Sequence, residues 1–505
     1  MSILNSIASW WMRKRMHQIE LFMKYPHDVQ EEWLQRLLKQ GSNTRFGKRF
    51  GMIDIQNRED FVRRIPLQDY ESLKGDIDKM RKGEPDVLWP GETKYFAKSS
   101  GTTGDKSKFI PLTDEALDGC HYNGGRDMVT FYCINYPETR LFTGKNLALA
   151  GSRGTYRNGG GESYYGDLSA LVISHLPLWA EFFRAPELSI ALMDNWEEKL
   201  EKLARSTMEE NITSLAGVPS WMLVLLKRIL EIKKTKTLEK IWPSLEVYFH
   251  GGVNFEPYRK QFSDLFPGNN LRFLELYNAS EGFFGIQDQK EPGELLLMLD
   301  YGIYYEFIPP GEWENPEAKT LSLMEVKPGI DYSLVITTNA GLWRYRIGDT
   351  IRFTSTHPYR FVISGRTKQF LNVFGEEVMV HNVEHALQVA CQKTDAIVAE
   401  FSVGPVFMDE GKAGAHEWVL EFEKEPADLA YFTALLDNAL KSLNSDYEAK
   451  RFNDYALREP IVRTVEKGTF FEWMKHRGRL GGQNKVPRLS NDRKYIEEIL
   501  KFNRK

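Results

Sequence analysis

The chain has 505 residues, 42% of them hydrophobic, which is too long for one core and points to two or three domains. A net charge of −4 excludes a general basic field for nucleic acid. Three cysteines, Cys120, Cys133 and Cys391, cannot form a disulfide framework and lack metal-ligand spacing, which fits a reducing cytosol.

The first segment, "MSILNSIASWWMRKRMHQIELFMKY", begins apolar, but Arg13, Lys14 and Arg15 follow the apolar part, the reverse of a secretory signal. Met12, Met16, Ile19 and Met23 recur at helical spacing and predict an amphipathic helix packed on the body. No apolar run approaches the ~20 residues of a bilayer span, so no stable membrane insertion is expected. "DVQEEWLQRLLKQG" predicts a second helix, with Asp28 as N-cap, Glu31 three residues on and Gly41 at its end.

From about Tyr95, short β-rich runs alternate with helices. "NLALAG", "ITSLAGVP", "SLEVYFHGG" and "NLRFLELYNASEG" read as strands; "MDNWEEKLEKLARSTMEEN" and the run after Pro219 read as helices. This alternation predicts α/β sheets with crossover helices. From Leu295 the pattern turns to hairpins, with Asn339-Ala340-Gly341 as a turn. "TSTHPYRF" is the linker candidate, because His357-Pro358 breaks the pattern. The expected organisation is an N-terminal domain over 1–355, a hinge over 356–361 and a C-terminal domain over 362–505. That last domain is predicted to hold strands near 361–374 and 416–423 and helices near 382–392 and 427–443.

Four stretches carry candidate chemistry. "SSGTTGDKSK", residues 99–108, packs glycines, hydroxyls and lysines after a strand-like "TKYFAK". It matches neither a Walker loop nor a dinucleotide fingerprint. Its glycines let backbone approach an oxyanion, and its hydroxyls and amides donate to it; a polar surface loop is the plain alternative. "LYNASEGFFG" delivers Tyr277 and then Glu281, a flat ring beside a carboxylate suited to a purine and a metal-bound phosphate, or a turn-capping Glu. "GLWRYRIGDTIRF" places Asp349 after Arg344 and Arg346, where it accepts from ribose hydroxyls or pairs with an arginine. "FHGGVNFEPYR" ends a strand in Gly251-Gly252, where backbone can lie against a base. The ten histidines show no metal spacing.

The order of these stretches, followed by "SGRTKQFLNVFGEEV", resembles the adenylate-forming superfamily of acyl-CoA synthetases, adenylation domains and luciferases. "YNASEGFFG", "YYEFIP", "DYSLVITTNAGLWRYRIGDTIRF" and "GGQNKVPRLS" are most similar to the acyl-acid–amido synthetases, the plant hormone-conjugating family and its bacterial relatives. The resemblance covers nearly the whole chain. It implies the adenylate-forming fold: a large N-terminal domain of mixed sheets with a small β-barrel-like part, and a smaller, mobile α/β C-terminal domain. It implies ATP and magnesium as cofactors, a small carboxylic acid and an amino acid as substrates, and reaction through an acyl-adenylate. An acyl-CoA synthetase and a non-catalytic adenylate-binding protein are the alternatives.

Carried across by motif, the resemblance assigns phosphate to Ser99, Ser100, Thr102 and Thr103. It places Gly251 and Gly252 beside adenine, with Tyr277 stacked on it. It puts Ser280 near phosphate, gives Mg²⁺ to Glu281 and the ribose to Asp349, and brings Arg366 from the C-terminal domain. Plant members carry a lysine shortly after the hinge strand, but "FGEEVMV" has Gly375, Glu376 and Glu377 instead. Lys485 in "GGQNKVPR" is therefore the candidate for the adenylation charge. "LALAGSRGTYRNGGGESYYGD" is expected to line part of the acid pocket, where Arg153, Tyr156 and Arg157 either bind a second carboxylate or solvate a loop.

Overall fold

The computed structural model describes residues 3–100, 107–158, 161–176, 178–253, 255–268, 271–367, 370–409, 412–477 and 486–503. Thr102, Thr103 and Lys485 lie outside them. The first helix, Ile3–Lys24, packs inward through Ile19 and Phe22, as its spacing predicts. The second, Pro26–Gly41, starts two residues before the predicted cap. Proline at its first position needs no amide partner, so Asp28 falls inside the first turn and acts on the helix dipole instead. Its buried Gln30 binds across to the sheet, donating to the carbonyls of Leu299 and Ile303 and accepting from Tyr305 N. Among the described residues no helix is long and apolar enough to cross a membrane.

The twenty strands among the described residues are β1 (Tyr95–Ser100), β2 (Ser107–Leu112), β3 (Lys145–Ala148), β4 (Arg153–Asn158), β5 (Gly161–Gly166), β6 (Arg184–Ala185), β7 (Ile212–Gly217), β8 (Val247–Gly251), β9 (Arg272–Ala279), β10 (Gly282–Ile286), β11 (Leu295–Leu297), β12 (Ile303–Ile308), β13 (Asp331–Thr338), β14 (Tyr345–Thr356), β15 (Tyr359–Arg366), β16 (Phe370–Leu371), β17 (Val378–Met379), β18 (Ile397–Val406), β19 (Ala415–Lys424) and β20 (Ile461–Val465). Eleven form one sheet in the order β12-β13-β14-β15-β11-β10-β9-β8-β7-β3-β6. The run β6-β3-β7-β8-β9 is parallel, and every pairing beyond it is antiparallel. The parallel strands are short apolar runs, and helices Pro219–Lys233 and Glu256–Leu265 form the crossovers between them. A separate sheet, β2-β1-β5-β4, carries Ser99 and Ser100 at the end of β1 and Lys108 in β2. The C-terminal part is built on β18-β19-β20 with helices Val380–Thr394 and Leu429–Leu443, close to the predicted ranges. The fold is the large mixed-sheet domain and smaller C-terminal domain that the sequence implies.

Residues 356–361, expected to be a hinge, instead hold a hairpin turn. β14 and β15 pair from Asp349–Arg366 up to Thr356–Tyr359, and β15 also pairs with β11. The strand expected over 361–374 is therefore divided. Its first half stays in the large sheet, the chain leaves that sheet after Arg366, and only Phe370–Leu371 continues as β16. The physical reason is edge pairing: both neighbours of β15 satisfy its backbone, which a free linker could not.

Two buried ion networks hold the N-terminal helices to the sheet. Arg15 grips Asp127 at 2.6 Å and Asp300 at 2.5 Å, and Tyr301 donates to the same Asp127. Arg344, with φ +45°, lies on Glu306 at 2.9 Å and also donates to the carbonyls of Val62 and Ile65 and to Thr320 Oγ1. Both members are at most 3% exposed, so the pair survives only because nearly every donor is used. Arg344→Met should leave Glu306 buried and uncompensated, costing about 3–5 kcal/mol. A urea unfolding midpoint unchanged from that of the native protein would refute this account.

Candidate active site

Open α/β sheets bind ligands outside the carboxyl ends of their parallel strands, and Gly251, Gly252, Tyr277, Ser280 and Glu281 lie at those ends of β8 and β9. β8 ends in Gly251-Gly252. A Cβ built on Gly251 would meet the carbonyl oxygen of Leu276 on β9 at 2.6 Å, so no larger residue fits without moving backbone. Gly252 has φ +82°, a conformation that favours glycine. β9 and β10 join through a two-residue hairpin, with Ala279 opposite Gly282. Ser280 and Glu281 are those two turn residues. A Cβ on Gly282 would lie 2.8 Å from Ile303 Cδ1 and 2.9 Å from the Phe284 ring, so a larger residue there would displace side chains.

Tyr277 is buried, packed beside Phe284 and Phe361, and its hydroxyl donates to Asp349 Oδ2 at 2.6 Å. Asp349 follows Gly348, at φ +91°, on β14. Its other oxygen accepts from Arg366 Nε at 2.5 Å, across the β14–β15 ladder. Arg366 also reaches Glu377 at 3.4 Å, and its guanidinium lies over the Phe370 ring at 4.5 Å. Burial opposes the Arg366 charge, yet Asp349 and Glu377 hold its pKa above the ordinary value. Burial, followed by the charge of Asp349, pushes the Tyr277 phenol well up, so it stays a donor. The arginine paired with Asp349 is therefore Arg366. Arg344, near Asp349 in sequence, belongs to the structural network with Glu306.

β1 and β2 pair antiparallel on either side of the phosphate-loop candidate. Ser99 pairs with Lys108 in its register, and Ser100 ends β1. Lys108 acts electrostatically on Glu281. Burial pushes the Glu281 carboxyl up to about 7; Lys108 opposes this, and Asp349 and Glu377 add to it. On the neighbouring sheet Tyr156 lies under Arg81, which also covers Phe109 at 3.6 Å.

Lys108 and Glu377, and the hydroxyl role of Tyr277, were not singled out from sequence. Lys108 could have been found from its strand register opposite Ser99, five residues beyond Thr103, the last candidate of its loop. The contacts of Glu377 and the Tyr277 hydroxyl arise between distant strands and leave no sequence spacing. Among the described residues no group of three or more His, Cys, Asp or Glu side chains could hold a metal alone. A single carboxylate at Glu281 still fits magnesium, which takes most of its ligands from water and phosphate oxygens.

The Glu281 shift has a definite sign. Its folded pKa, about 7, lies above the 4.5 of the free side chain, so the folded protein keeps this proton longer than the unfolded chain. Stability from this group is fully present below pH 4.5 and is lost as pH rises through about 7. Glu281→Gln should therefore melt above the native protein at pH 8, with the gap closing at pH 4. A gap independent of pH would remove the assignment.

Comparison with known proteins gives a consistent relationship. The GH3 family N-terminal domain matches residues 15–271, its central domain 296–366 and its C-terminal domain 381–494. The chain is 25% identical to indole-3-acetic acid-amido synthetase GH3.4 of Arabidopsis thaliana, over 94% of this chain and 91% of that protein. It is 24% identical to jasmonoyl–L-amino acid synthetase JAR4 of Nicotiana attenuata, over 94% and 92%. Among solved structures it is similar to GH3.15 acyl acid amido synthetase, with TM-score 0.61 and 18% identity over 97% of this chain and 96% of that one. It also shares the fold of 2-hydroxyisobutyryl-CoA ligase in complex with 2-HIB-AMP and CoA, with TM-score 0.57 and 14% identity over 93% and 91%. Matched by the domains of one family, in order, along most of its length, this chain belongs to the GH3 family.

Proposed function

We propose that the protein is an ATP-dependent acyl-acid–amido synthetase that joins a small carboxylic acid to an amino acid. The observation that carries this is the linked set Tyr277–Asp349–Arg366–Glu377 at the carboxyl ends of the parallel strands, beside Gly251-Gly252 and the Ser280-Glu281 turn. Membership of the GH3 family, whose relatives carry amido-synthetase names, supports the same reading.

In the first half-reaction the acid's carboxylate oxygen attacks the α-phosphorus of ATP. The bond to the bridging oxygen breaks, and pyrophosphate leaves with the electron pair. In the second, an amine nitrogen attacks the acyl carbonyl, the carbon–oxygen bond to AMP breaks, and the amine loses a proton. The mixed anhydride supplies the leaving group that a carboxylate lacks. The protein's part is to hold anions in line and offset their repulsion.

Ser99, Ser100, Thr102 and Thr103 bind phosphate through hydroxyls and amides. Gly251 and Gly252 allow the base to lie against backbone, and Tyr277 supplies its ring. Asp349 binds the ribose and is itself oriented by Tyr277 and Arg366. Ser280 lies beside the phosphates. Glu281 binds magnesium with the phosphate oxygens, and the metal would neutralise charge as pyrophosphate departs. Because the Glu281 carboxyl is held up to about 7, metal binding must displace its proton, so adenylation should rise with pH through neutrality. Arg153, Tyr156 and Arg157 line the acid side, and the pivot of the C-terminal domain falls after Arg366.

The test is pyrophosphate release across a panel of carboxylic acids, followed by supply of amino acids or CoA. Amide product with an accepted acid supports the reading. Thioester product moves it to the acyl-CoA synthetases, and no release with any acid leaves an adenylate-binding protein. Glu281→Gln should abolish acid-dependent release in a folded protein. Lys485→Ala should slow acyl-adenylate formation by roughly two to three decades, the scale of one preorganised charge contact. The same variant should transfer the acyl group from chemically made acyl-AMP at a near-native rate. Equal losses in both steps would contradict a role confined to adenylation.

A further inference from the structure

One cation of the C-terminal domain reaches the crossover helix after β7 without an ion pair among the described residues. Lys450 is the last residue of the helix Ser445–Lys450. Both flanks of that helix are pinned. At its start Asn444 accepts from Tyr447 N and donates to the Glu377 carbonyl at 3.0 Å. Just past its end Arg451 is locked on buried Asp437 at 2.7 and 2.8 Å, and Tyr447 donates to the same carboxylate. The Lys450 backbone is therefore fixed relative to Glu377, which Arg366 links to Asp349.

The side chain lies between the two domains. Its ammonium sits over the Trp221 ring at 4.5 Å, at the start of the crossover helix that follows β7. A Cβ on Gly375, where φ is +85°, would come within 3.2 Å of Lys450 Cε, so glycine there leaves the stem its path. Val218, whose Cγ1 is 3.8 Å from that same Cβ position, also lies 3.4 Å from a Cβ built on Gly252. No carboxylate forms an ion pair with Lys450 among the described residues, although Asp167, Asp446, Glu376 and Glu377 all lie near enough to favour its charge against burial. A cation over an indole, with carboxylates around it but no ion pair among the described residues, keeps hydrogen-bonding capacity for a ligand.

We propose that Lys450 Nζ binds the carboxylate of the amino-acid acceptor during acyl transfer. An amino acid entering here brings an ammonium and a carboxylate. Glu377 and Asp167 suit the first, and among the described residues Lys450 is the C-terminal-domain cation that lies beside Trp221 and Gly375 and can serve the second. The inference rests on the amido-synthetase reading and names the group that selects an amino acid over a simple amine.

The experiment uses the full chain, chemically made acyl-AMP of an accepted acid, and two acceptors: an amino acid and its carboxamide, which lacks the carboxylate. The native protein should show a KM for the carboxamide at least tenfold higher. Lys450→Gln should raise the KM for the amino acid at least tenfold, leave that for the carboxamide within twofold, and so remove the preference. Lys450→Arg should restore most of it. Acid-dependent exchange of pyrophosphate into ATP reports whether each variant is folded and competent for adenylation. A preference retained in Lys450→Gln overturns the proposal, as does equal loss of kcat with both acceptors or loss of the exchange itself. If the native protein shows no exchange with any acid, the amido-synthetase reading fails instead, a distinct result.

Discussion

The site depends on one buried carboxylate. Asp349 is 6% exposed, and leaving either oxygen without a donor would cost more than its pairing returns. Tyr277 satisfies one oxygen from the parallel half of the sheet, and Arg366 satisfies the other from the antiparallel half. Arg366 then extends to Glu377 beyond the sheet. Three parts of the chain are thus held at one point by the requirement that a desolvated charge be fully hydrogen-bonded.

That point sits on a hydrophobic junction. The C-terminal residues Leu371, Val373, Phe374 and Val378 share a core with Tyr248, Tyr258 and Phe262 of the parallel half. Tyr258 also donates to the Val373 carbonyl at 2.6 Å, and Gln261 to that of Met408. Any reorientation of the C-terminal domain would have to exchange some of this burial, and a ligand could drive it only through a comparable difference in affinity for the two arrangements. Glu376 is less free to take part. It is fully buried, accepts from the amides of Val373 and Phe374, and meets His416 at 2.9 Å, so it holds the "FGEEV" turn in shape.

Much of the candidate site was legible because its residues sit beside local backbone constraints. Gly251 is glycine because β9 backbone lies 2.6 Å from where a Cβ would stand, and Glu281 occupies one of two positions in a tight hairpin. Such constraints leave motifs. The partner of Asp349 was not legible in the same way. Arg344 and Arg346 are near it in sequence, but β14 alternates faces and carries a register shift, and Arg366 is the residue opposite in the ladder. The expected hinge segment shows a related ambiguity. His357-Pro358 reads as a break in pattern, and a hairpin turn gives the same signal as a linker unless the pairing of β15 with β11 is known.

The sequence by itself determined the alternation of strands and helices, the amphipathic first helix, the hairpins after Leu295 and the glycines that admit backbone to a ligand. Each follows from periodicity or from a single residue's conformational range, and both are local properties. Only the tertiary structure decided which charges meet. It gave Arg344 to Glu306 and Arg366 to Asp349, turned the Tyr277 hydroxyl onto that same carboxylate, and brought Lys450 against Trp221. Those pairings depend on strand register and on burial, which fix distances between residues far apart in the chain and are not encoded in the spacing of either partner.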